Sequence, residues 1–318
     1  MNLKSLICHI ALGILIVSSG LMMSCNSFNE DLPECRLLVK FKYDYNMEFA
    51  DAFYSQVDKV ELYVFDKSGK FLFKQAEEGS ALSTGNYQME VELPVGEYQF
   101  MAWAGARESY DITQLTPGVS TITELKLKLK RETSLIINKK METLWYGELL
   151  NIDFAGTAHQ VETINLIRDT KLVRFGFQGY KEDWTLNVDD YYYEIIESNG
   201  HLGYDNSLLA DDVLSFRPYN VEQKNPSTAY VDMNTMRLMK DRQTRLTVTE
   251  KATNKKVFDI NLIDYLTMTN MEGGSMDSQE YLDRQSNYHI IFFLSESWLA
   301  VQIVINGWTH RIQPGEDL

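Results

Sequence analysis

Apolar and polar residues alternate along much of this chain, and this period of two restricts the fold more than any other feature of the sequence. The clearest case is residues 125–130, where leucine and lysine alternate. Successive side chains of a strand point to opposite faces, so the pattern predicts a strand with one buried and one solvated face. Because the chain is acidic, with a formal net charge of -15, we interpret these lysines as a solvated face and not as a nucleic-acid-binding patch.

The same alternation predicts strands throughout the chain. In the first half they lie at residues 36–45, 60–64, 71–74, 87–93, 97–104, 125–130, 135–138, 144–152 and 161–167. In the second half they lie at residues 171–178, 191–196, 235–239, 245–250, 256–260, 288–294 and 298–305. Helical periodicity is confined to residues 47–55, 261–269 and 278–284. Strands this short and closely spaced predict an all-β fold of β-sandwiches with minor helical insertions.

The strand pattern restarts after the polar residues 168–170, without a long linker before the next strand. About 294 residues follow the first 24, which is enough for two domains of ordinary size. We therefore expect two sandwiches in tandem, an N-terminal one at residues 36–167 and a C-terminal one at residues 168–318.

The first 24 residues have the layout of a secretory signal peptide, with Lys4, an apolar segment and then small residues. The apolar segment is too short and interrupted for a membrane-spanning helix. Cys25 directly follows Ser24, as in a lipobox, so we expect cleavage between them and a covalent diacylglycerol and acyl chain on Cys25. Met22 stands where leucine is usual. The alternative is an ordinary signal peptide with an uninvolved cysteine.

The cysteines predict a chain without disulfides. Cys8 is lost with the signal peptide and Cys25 is acylated, so Cys35 has no intramolecular partner. Residues 25–35 are short and polar and include Pro33, which indicates a lipidated tether. Membrane attachment then comes from covalent lipid, since an acidic surface is not attracted to anionic head groups.

The sequence contains no recognisable catalytic or metal-binding pattern. It lacks a G-x-S-x-G elbow, a P-loop, a dinucleotide glycine fingerprint and an H-E-x-x-H motif. The histidines that follow the signal peptide are far apart, and we expect His289 to be a core or interface residue. Adjacent acids occur at Glu77-Glu78, Asp189-Asp190 and Asp211-Asp212. We interpret them as solvated turns or as opposite faces of a strand, so we expect no enzyme, cofactor, metal, nucleic acid or small-molecule substrate.

Six segments of the chain, in this order behind a lipobox, resemble the FimB-type family of fimbrial anchor lipoproteins of type V pili. They are YDYNM at 43–47, VDKVELYVFD at 57–66, LPVGEY at 93–98, LWYG at 144–147, YLDRQSNY at 281–288 and INGW at 305–308. No single segment is diagnostic, but their order spans the whole mature chain. The resemblance therefore covers both expected sandwiches.

The resemblance implies two tandem transthyretin-like β-sandwiches, a lipid anchor in the outer membrane and a role at the base of a fimbrium. Members hold the fimbrium to the cell, limit its length and join shaft subunits by strand exchange. Only Cys25 carries over as a functional residue. The chain ends soon after its last predicted strand, which suits a terminal subunit.

Two alternative functions remain open at this stage. A fimbrial shaft or tip subunit would share the sandwiches and the lipoprotein signal. A shaft subunit should also carry an arginine or lysine processing site in an exposed N-terminal loop, but the one basic residue between Cys25 and the first strand is Arg36, at the start of that strand. A glycan-binding surface lipoprotein would need an aromatic platform that faces solvent, for which Tyr191, Tyr192 and Tyr193 are the candidates.

Overall fold

The computed structural model describes residues 35–156, 159–181, 184–268 and 276–311. Within these ranges the fold is all-β, with short α-helices between strands. The strands of the first half are β1 (Arg36–Lys42), β2 (Lys59–Asp66), β3 (Phe71–Glu78), β4 (Met89–Val91), β5 (Gly96–Ala104), β6 (Tyr110–Ile112), β7 (Lys126–Leu129), β8 (Ile136–Ile137), β9 (Trp145–Phe154) and β10 (His159–Arg168). The strands of the second half are β11 (Lys171–Gly179), β12 (Tyr191–Glu197), β13 (His201–Gly203), β14 (Leu214–Phe216), β15 (Asn220–Asn225), β16 (Thr228–Thr235), β17 (Arg245–Glu250), β18 (Lys256–Asn261), β19 (Asn287–Leu294), β20 (Ala300–Ile305) and β21 (Trp308–Arg311). The α-helices are α1 (Phe53–Gln56), α2 (Leu262–Thr267) and α3 (Ser278–Arg284).

The first sandwich is built around a seven-stranded sheet in the order β3-β2-β5-β9-β10-β1-β4. Alternate residues of its strands face one apolar core, which includes Phe41, Leu62, Phe100 and Phe154. The first and last long strands, β1 and β10, are parallel, whereas the other pairs of this sheet are antiparallel. The period-two pattern of the sequence thus supplies one buried face for each strand.

Strands β2 and β5 are buried on both faces, so their sequences are almost continuously apolar. Their second face is covered by the segment between β5 and β9, whose Leu125, Leu127 and Leu129 are buried. The alternating lysines of that segment are exposed, as predicted. Its strand β7 lies between β6 and β13 in a three-stranded sheet.

The second sandwich packs a six-stranded sheet, β15-β16-β11-β19-β20-β21, against a five-stranded sheet, β18-β17-β12-β14-β8. Its core is rich in aromatic rings, among them Phe175, Phe177, Phe258 and Phe292. As in the first sandwich, the first strand, β11, pairs in parallel with a strand from the end of its unit, β19. The predicted fold class of β-sandwiches with minor helices is confirmed.

Strand β10 ends at Arg168 and β11 begins at Lys171, so two residues separate the main sheets of the two sandwiches. The two halves nevertheless share two sheets, because β7 pairs with β13 and β8 pairs with β14. The first-half segment that covers β2 and β5 therefore also belongs to the sheets of the second half. The domain boundary between residues 167 and 168 stays a prediction.

Two local predictions are wrong. A strand was expected at residues 235–239, but β16 ends at Thr235; Met236 and Leu238 are still buried, so their alternation reflects packing without strand pairing. A helix was expected at residues 47–55, but helical structure is limited to α1. Phe49 has φ of 52°, which a continuous α-helix does not allow.

The two ends of the first sandwich have different surroundings. We call the end where β1 begins the tether end; it holds Cys35, the start of β5 and β10, and the end of β2 and β9. We call the opposite end the junction end; it holds Tyr43, just after β1, and Arg168, at the end of β10. The second sandwich contacts the first at the junction end, where α3 packs near β10.

Candidate anchoring and assembly site

The predicted lipidation and cleavage residues, Cys25 and Ser24, lie outside the described residues, as does the tether up to residue 34. Cys35 is a free, exposed cysteine whose thiol donates a hydrogen bond to the carbonyl oxygen of Gly156 at 2.7 Å. It is followed directly by β1, so the first strand begins close behind the expected lipid attachment point.

Strand β1 leads from the tether into the core of the first sandwich. All seven of its residues pair with β10, whereas β4 on its other side pairs with only part of it. Its three inward residues, Leu37, Val39 and Phe41, are at most 1% exposed. The chain is therefore tied to the sheet by main-chain hydrogen bonds and by apolar burial from its first strand onward.

Two of the six segments that carry the family resemblance meet at the junction end. Arg284, at the end of α3, donates hydrogen bonds to the carbonyl oxygens of Asp44 at 3.3 Å and Asn46 at 3.4 Å. Its guanidinium carbon lies 4.1 Å from the ring centroid of Tyr45 and 4.7 Å from that of Phe49. A cation between two rings and two carbonyl groups joins the second sandwich to the loop that follows β1.

The loop after β1 is held in one shape by Asn46 together with Asp51. The Asp51 carboxylate accepts hydrogen bonds from the amides of Tyr43 and Phe53. Asn46 Nδ2 donates to the carbonyl oxygens of Tyr43 at 2.9 Å and Ala50 at 2.8 Å. Within this loop Phe49 adopts a left-handed backbone, which is unfavourable for a bulky residue and must be enforced by its surroundings. The result is an aromatic ring held over Arg284.

Buried charged side chains from the second half of the chain gather behind this loop. Asp169 and Lys171 are fully buried. Asp169 accepts a hydrogen bond from Asn206 Nδ2 at 3.0 Å, and Lys171 Nζ donates to the carbonyl oxygen of Asp283 at 2.9 Å. The Asp283 carboxylate in turn accepts two hydrogen bonds from Arg237, at 3.0 and 2.9 Å.

Burial sets the titration behaviour of this cluster. It raises the pKa of the Asp169 carboxyl, which the nearby Arg237 opposes. It lowers the pKa of the Lys171 ammonium, which the nearby Asp283 opposes. In each case the charged form loses hydration that its neighbours only partly replace. The Asp169 Oδ2 atom has no hydrogen-bond partner among the described residues.

Thr170, between these two charges, connects the strands of the first sandwich to the same cluster. Its Oγ1 accepts a hydrogen bond from the amide of Leu144 at 2.9 Å and lies 3.2 Å from the hydroxyl of Tyr110. Residues 168–170 were predicted only as the boundary between the two sandwiches, and no functional or structural site was predicted there. Four consecutive polar residues between two apolar strands, Arg168 to Lys171, were the available signal.

The candidate aromatic platform does not form. The ring centroid of Tyr193 lies 5.1 Å from that of Phe177, and that of Tyr191 lies 4.7 Å from that of Trp298, so both rings pack inward. Tyr192 is 45% exposed. Two cations lie over its ring, those of Arg217 at 5.4 Å and Lys251 at 5.0 Å.

The remaining sequence candidates are not assembled into a reactive site. His289 is exposed on β19 beside Tyr230, so it is not a core residue, and the expected alternative of an interface residue stays a prediction. Asp211 and Asp212 lie in a loop and both approach Arg131, at 2.5 and 3.3 Å, so these adjacent acids share one cation. Across the described ranges, no three His, Cys, Asp or Glu side chains are grouped to hold a metal ion.

A cleft with a volume of about 660 Å³ lies beside β8, at the edge of the five-stranded sheet. Its lining mixes apolar residues with charges of both signs, including Lys139, Lys140, Glu132 and Glu142. Such a lining favours neither anionic nor cationic ligands. No helix in the described part of the chain is long and apolar enough to cross a membrane.

A family model and a related protein both match fimbrial anchor proteins. A family model described as fimbrillin-A associated anchor proteins Mfa1 and Mfa2 matches residues 32–314. The minor fimbrium anchoring subunit Mfa2 of Porphyromonas gingivalis is 23% identical over 323 residues, which cover 97% of this chain and 95% of that protein.

Solved structures show the same fold. A protein from Bacteroides thetaiotaomicron, described as a candidate polysaccharide-binding protein, is 81% identical with a TM-score of 0.86 and covers 88% of this chain and 99% of that one. The fimbrial anchor protein Mfa2 from Porphyromonas gingivalis is 20% identical with a TM-score of 0.68 and covers 87% of this chain and 98% of that one.

Proposed function

Since this chain belongs to the family of fimbrillin-A associated anchor proteins, we propose that it is the subunit that attaches a fimbrium to the outer membrane. The observation that carries the proposal is the position of the family match, which begins at residue 32, directly behind the lipobox cysteine at residue 25. In this proposal the folded part binds the fimbrium and Cys25 binds the membrane.

Cys25 carries the diacylglycerol and an acyl chain such as palmitate. Several chains on one residue give durable attachment, whereas a single chain gives only marginal attachment. The protein then stays with the outer membrane and displays the sandwiches at the cell surface.

The fimbrial shaft subunit is the expected partner, and strand exchange is the expected joint. An exchanged strand pairs with a sheet edge through main-chain hydrogen bonds and fills pockets with alternate side chains. The six-stranded sheet ends in β15 on one side and β21 on the other, which gives it two candidate edges. A subunit held by lipid at the base also ends growth there, which limits fimbrial length.

The shaft-subunit alternative is less well supported. Arg36 is the first residue of β1 and lies 3.5 Å from Glu90 in an exposed ion pair. Cleavage at this arginine would remove only the tether and leave β1 in the sheet, so it would not open an acceptor groove. The inward rings of Tyr191 and Tyr193 likewise weaken the glycan-binding alternative, and the family gives no reason to infer catalysis.

Fractionation of cells that express wild type or Cys25→Ser tests the proposal. Envelope and medium are probed for this protein and for fimbrial polymer. We expect Cys25→Ser to send both into the medium, because the lipid is the attachment to the membrane. Retention of both at the envelope would overturn the proposal. Loss of the protein with fimbriae still attached would show a lipoprotein with another function.

A further inference from the structure

The tether end of the first sandwich carries two exposed valines, Val95 just before β5 and Val119 in a turn hydrogen-bonded to the start of β3. Val95 is 66% exposed and Val119 is 70% exposed. Val95 lies in the LPVGEY segment, one of the six segments that carry the family resemblance. This segment lies at the tether end and not at the junction end described above.

Val95 lies beside the point where the tether enters the fold. A Cβ atom added to Gly156 would lie 2.6 Å from Val95 Cγ2 and 3.9 Å from Cys35 Sγ. Valine and cysteine therefore flank the same glycine, whose carbonyl oxygen accepts the cysteine thiol hydrogen bond. Whatever the tether is attached to is brought toward Val95.

Both turns are held rigidly by hydrogen bonds. The Tyr98 hydroxyl donates to the carbonyl oxygen of Pro94 at 2.8 Å, which fixes the turn before Val95. On the other turn the amide of Gly118 donates to the carbonyl oxygen of Phe71 at 2.8 Å, and the Phe71 amide donates to that of Ser120 at 2.9 Å. The valines are thus presented outward without an ordering cost on contact.

The average length of the tether brings one end of the sandwich closer to the membrane than the other. The ten-residue step from Cys25 to Cys35 spans about 35 Å when fully extended and about 18 Å on average as a flexible coil. Strands β9 and β10 have ten residues each, so the junction end is about 33 Å farther away. As a flexible coil, the tether therefore keeps the tether end closer to the bilayer than the junction end.

The charges at this end do not select anionic lipid. Lys67 and Glu97 are exposed and lie 3.6 Å apart, and Lys70, Glu92 and Glu124 are also exposed. A surface of mixed sign neither attracts nor strongly repels head groups. Exposed valine side chains on a surface of mixed charge are compatible with the boundary between head groups and acyl chains of a zwitterionic bilayer.

We propose that the tether end rests on the bilayer, with Val95 and Val119 at the head-group boundary and the second sandwich directed away from the membrane. This proposal rests on the proposed lipidation of Cys25, which holds the turns at high local concentration near lipid. The second sandwich, with the edges β15 and β21, is then free to meet the fimbrium.

Site-specific labelling of the lipidated full chain in vesicles tests this orientation. In a Cys35→Ser background, the single substitutions Val95→Cys, Val119→Cys and Val213→Cys receive a fluorophore. Val213 is a matched control, because it is a 61% exposed valine in the second half of the chain. Vesicles of phosphatidylethanolamine and phosphatidylcholine carry either a nitroxide quencher on the lipid or a soluble quencher outside.

We expect labels at residues 95 and 119 to be quenched by the lipid-borne nitroxide and shielded from the soluble quencher, and the label at residue 213 to show the reverse. If the chain floats with vesicles but all three labels respond alike, the orientation is wrong and lipidation stands. If the lipidated preparation floats with vesicles no better than Cys25→Ser, the proposed lipid attachment is wrong. The proposed orientation, which depends on it, is then wrong as well.

Discussion

The two ends of the first sandwich are stabilised in opposite ways. The junction end buries Asp169, Lys171 and Asp283, and the Thr170 hydroxyl between the first two accepts a hydrogen bond from the amide of Leu144 in the first half. The tether end exposes its charges and closes its turns with main-chain hydrogen bonds. Since burying charged or polar groups is costly unless they are hydrogen-bonded, substitutions at the junction end should destabilise the fold more than substitutions at the tether end.

The largest effect is expected from breaking the buried ion pair at the junction end. Arg237→Ala leaves the Asp283 carboxylate buried without its two hydrogen bonds, so the free energy of unfolding should fall by about 3–5 kcal/mol. Urea denaturation of the unlipidated chain measures it. Lys67→Ala, which removes the exposed ion pair with Glu97 at the tether end, should cost at most about 1 kcal/mol. Equal losses would contradict the contrast between the ends.

A smaller effect is expected from Thr170→Val. This change keeps the side-chain shape but leaves the buried amide of Leu144 without its acceptor, which should cost about 1–3 kcal/mol. Thr123→Val at the tether end is the control, because Thr123 is exposed and should change stability by about 0.5 kcal/mol or less. Thermal unfolding of both variants measures the difference. If Thr123→Val lowered stability as much as Thr170→Val, the two ends of the sandwich would not differ in their tolerance of substitution.

The smallest expected effect is a difference in the sign of pH dependence. At the tether end, hydrogen bonds from the Ser68 hydroxyl and from backbone amides lower the pKa of Asp66, so its contribution is present above the ordinary aspartate pKa and is lost as pH falls. At the junction end, burial raises the pKa of Asp169, so its contribution is present below the ordinary pKa and is lost as pH rises.

Asp66→Asn should therefore cost more stability at about pH 7 than at about pH 3, and Asp169→Asn should cost more at about pH 4 than at about pH 8. Denaturation at several pH values measures how the stability cost of each substitution changes with pH. If the stability cost of both substitutions changed with pH in the same direction, Asp169 would not be kept neutral by burial.

Much of this architecture follows from local sequence patterns. The helix predicted at residues 278–284 coincides with α3, and the turn Asp66 to Gly69 joins β2 and β3 as its composition indicates. The fimbrial anchor resemblance, argued from six segments, is confirmed by the family match. Lipidation at Cys25 stays a prediction.

The remaining features depend on contacts between distant parts of the chain. Strand β15 is exposed and polar, so it lacks the alternation that marks a half-buried strand. The hydrogen bond between Arg284 and Asp44 joins residues 240 positions apart, and no local pattern predicts it. The buried charges at residues 169 and 171 were missed because polar residues between strands normally indicate a solvated turn.

The parallel pairing of β1 with β10 has a mechanical consequence. If the lipid holds the N-terminal end of β1 and the load acts through the second sandwich, the pull runs along the strand axis. The hydrogen bonds between β1 and β10 then share the force in shear along the whole strand and do not open one after another. A fimbrium dragged by flow would thus load its attachment along the direction in which a sheet is hardest to pull apart.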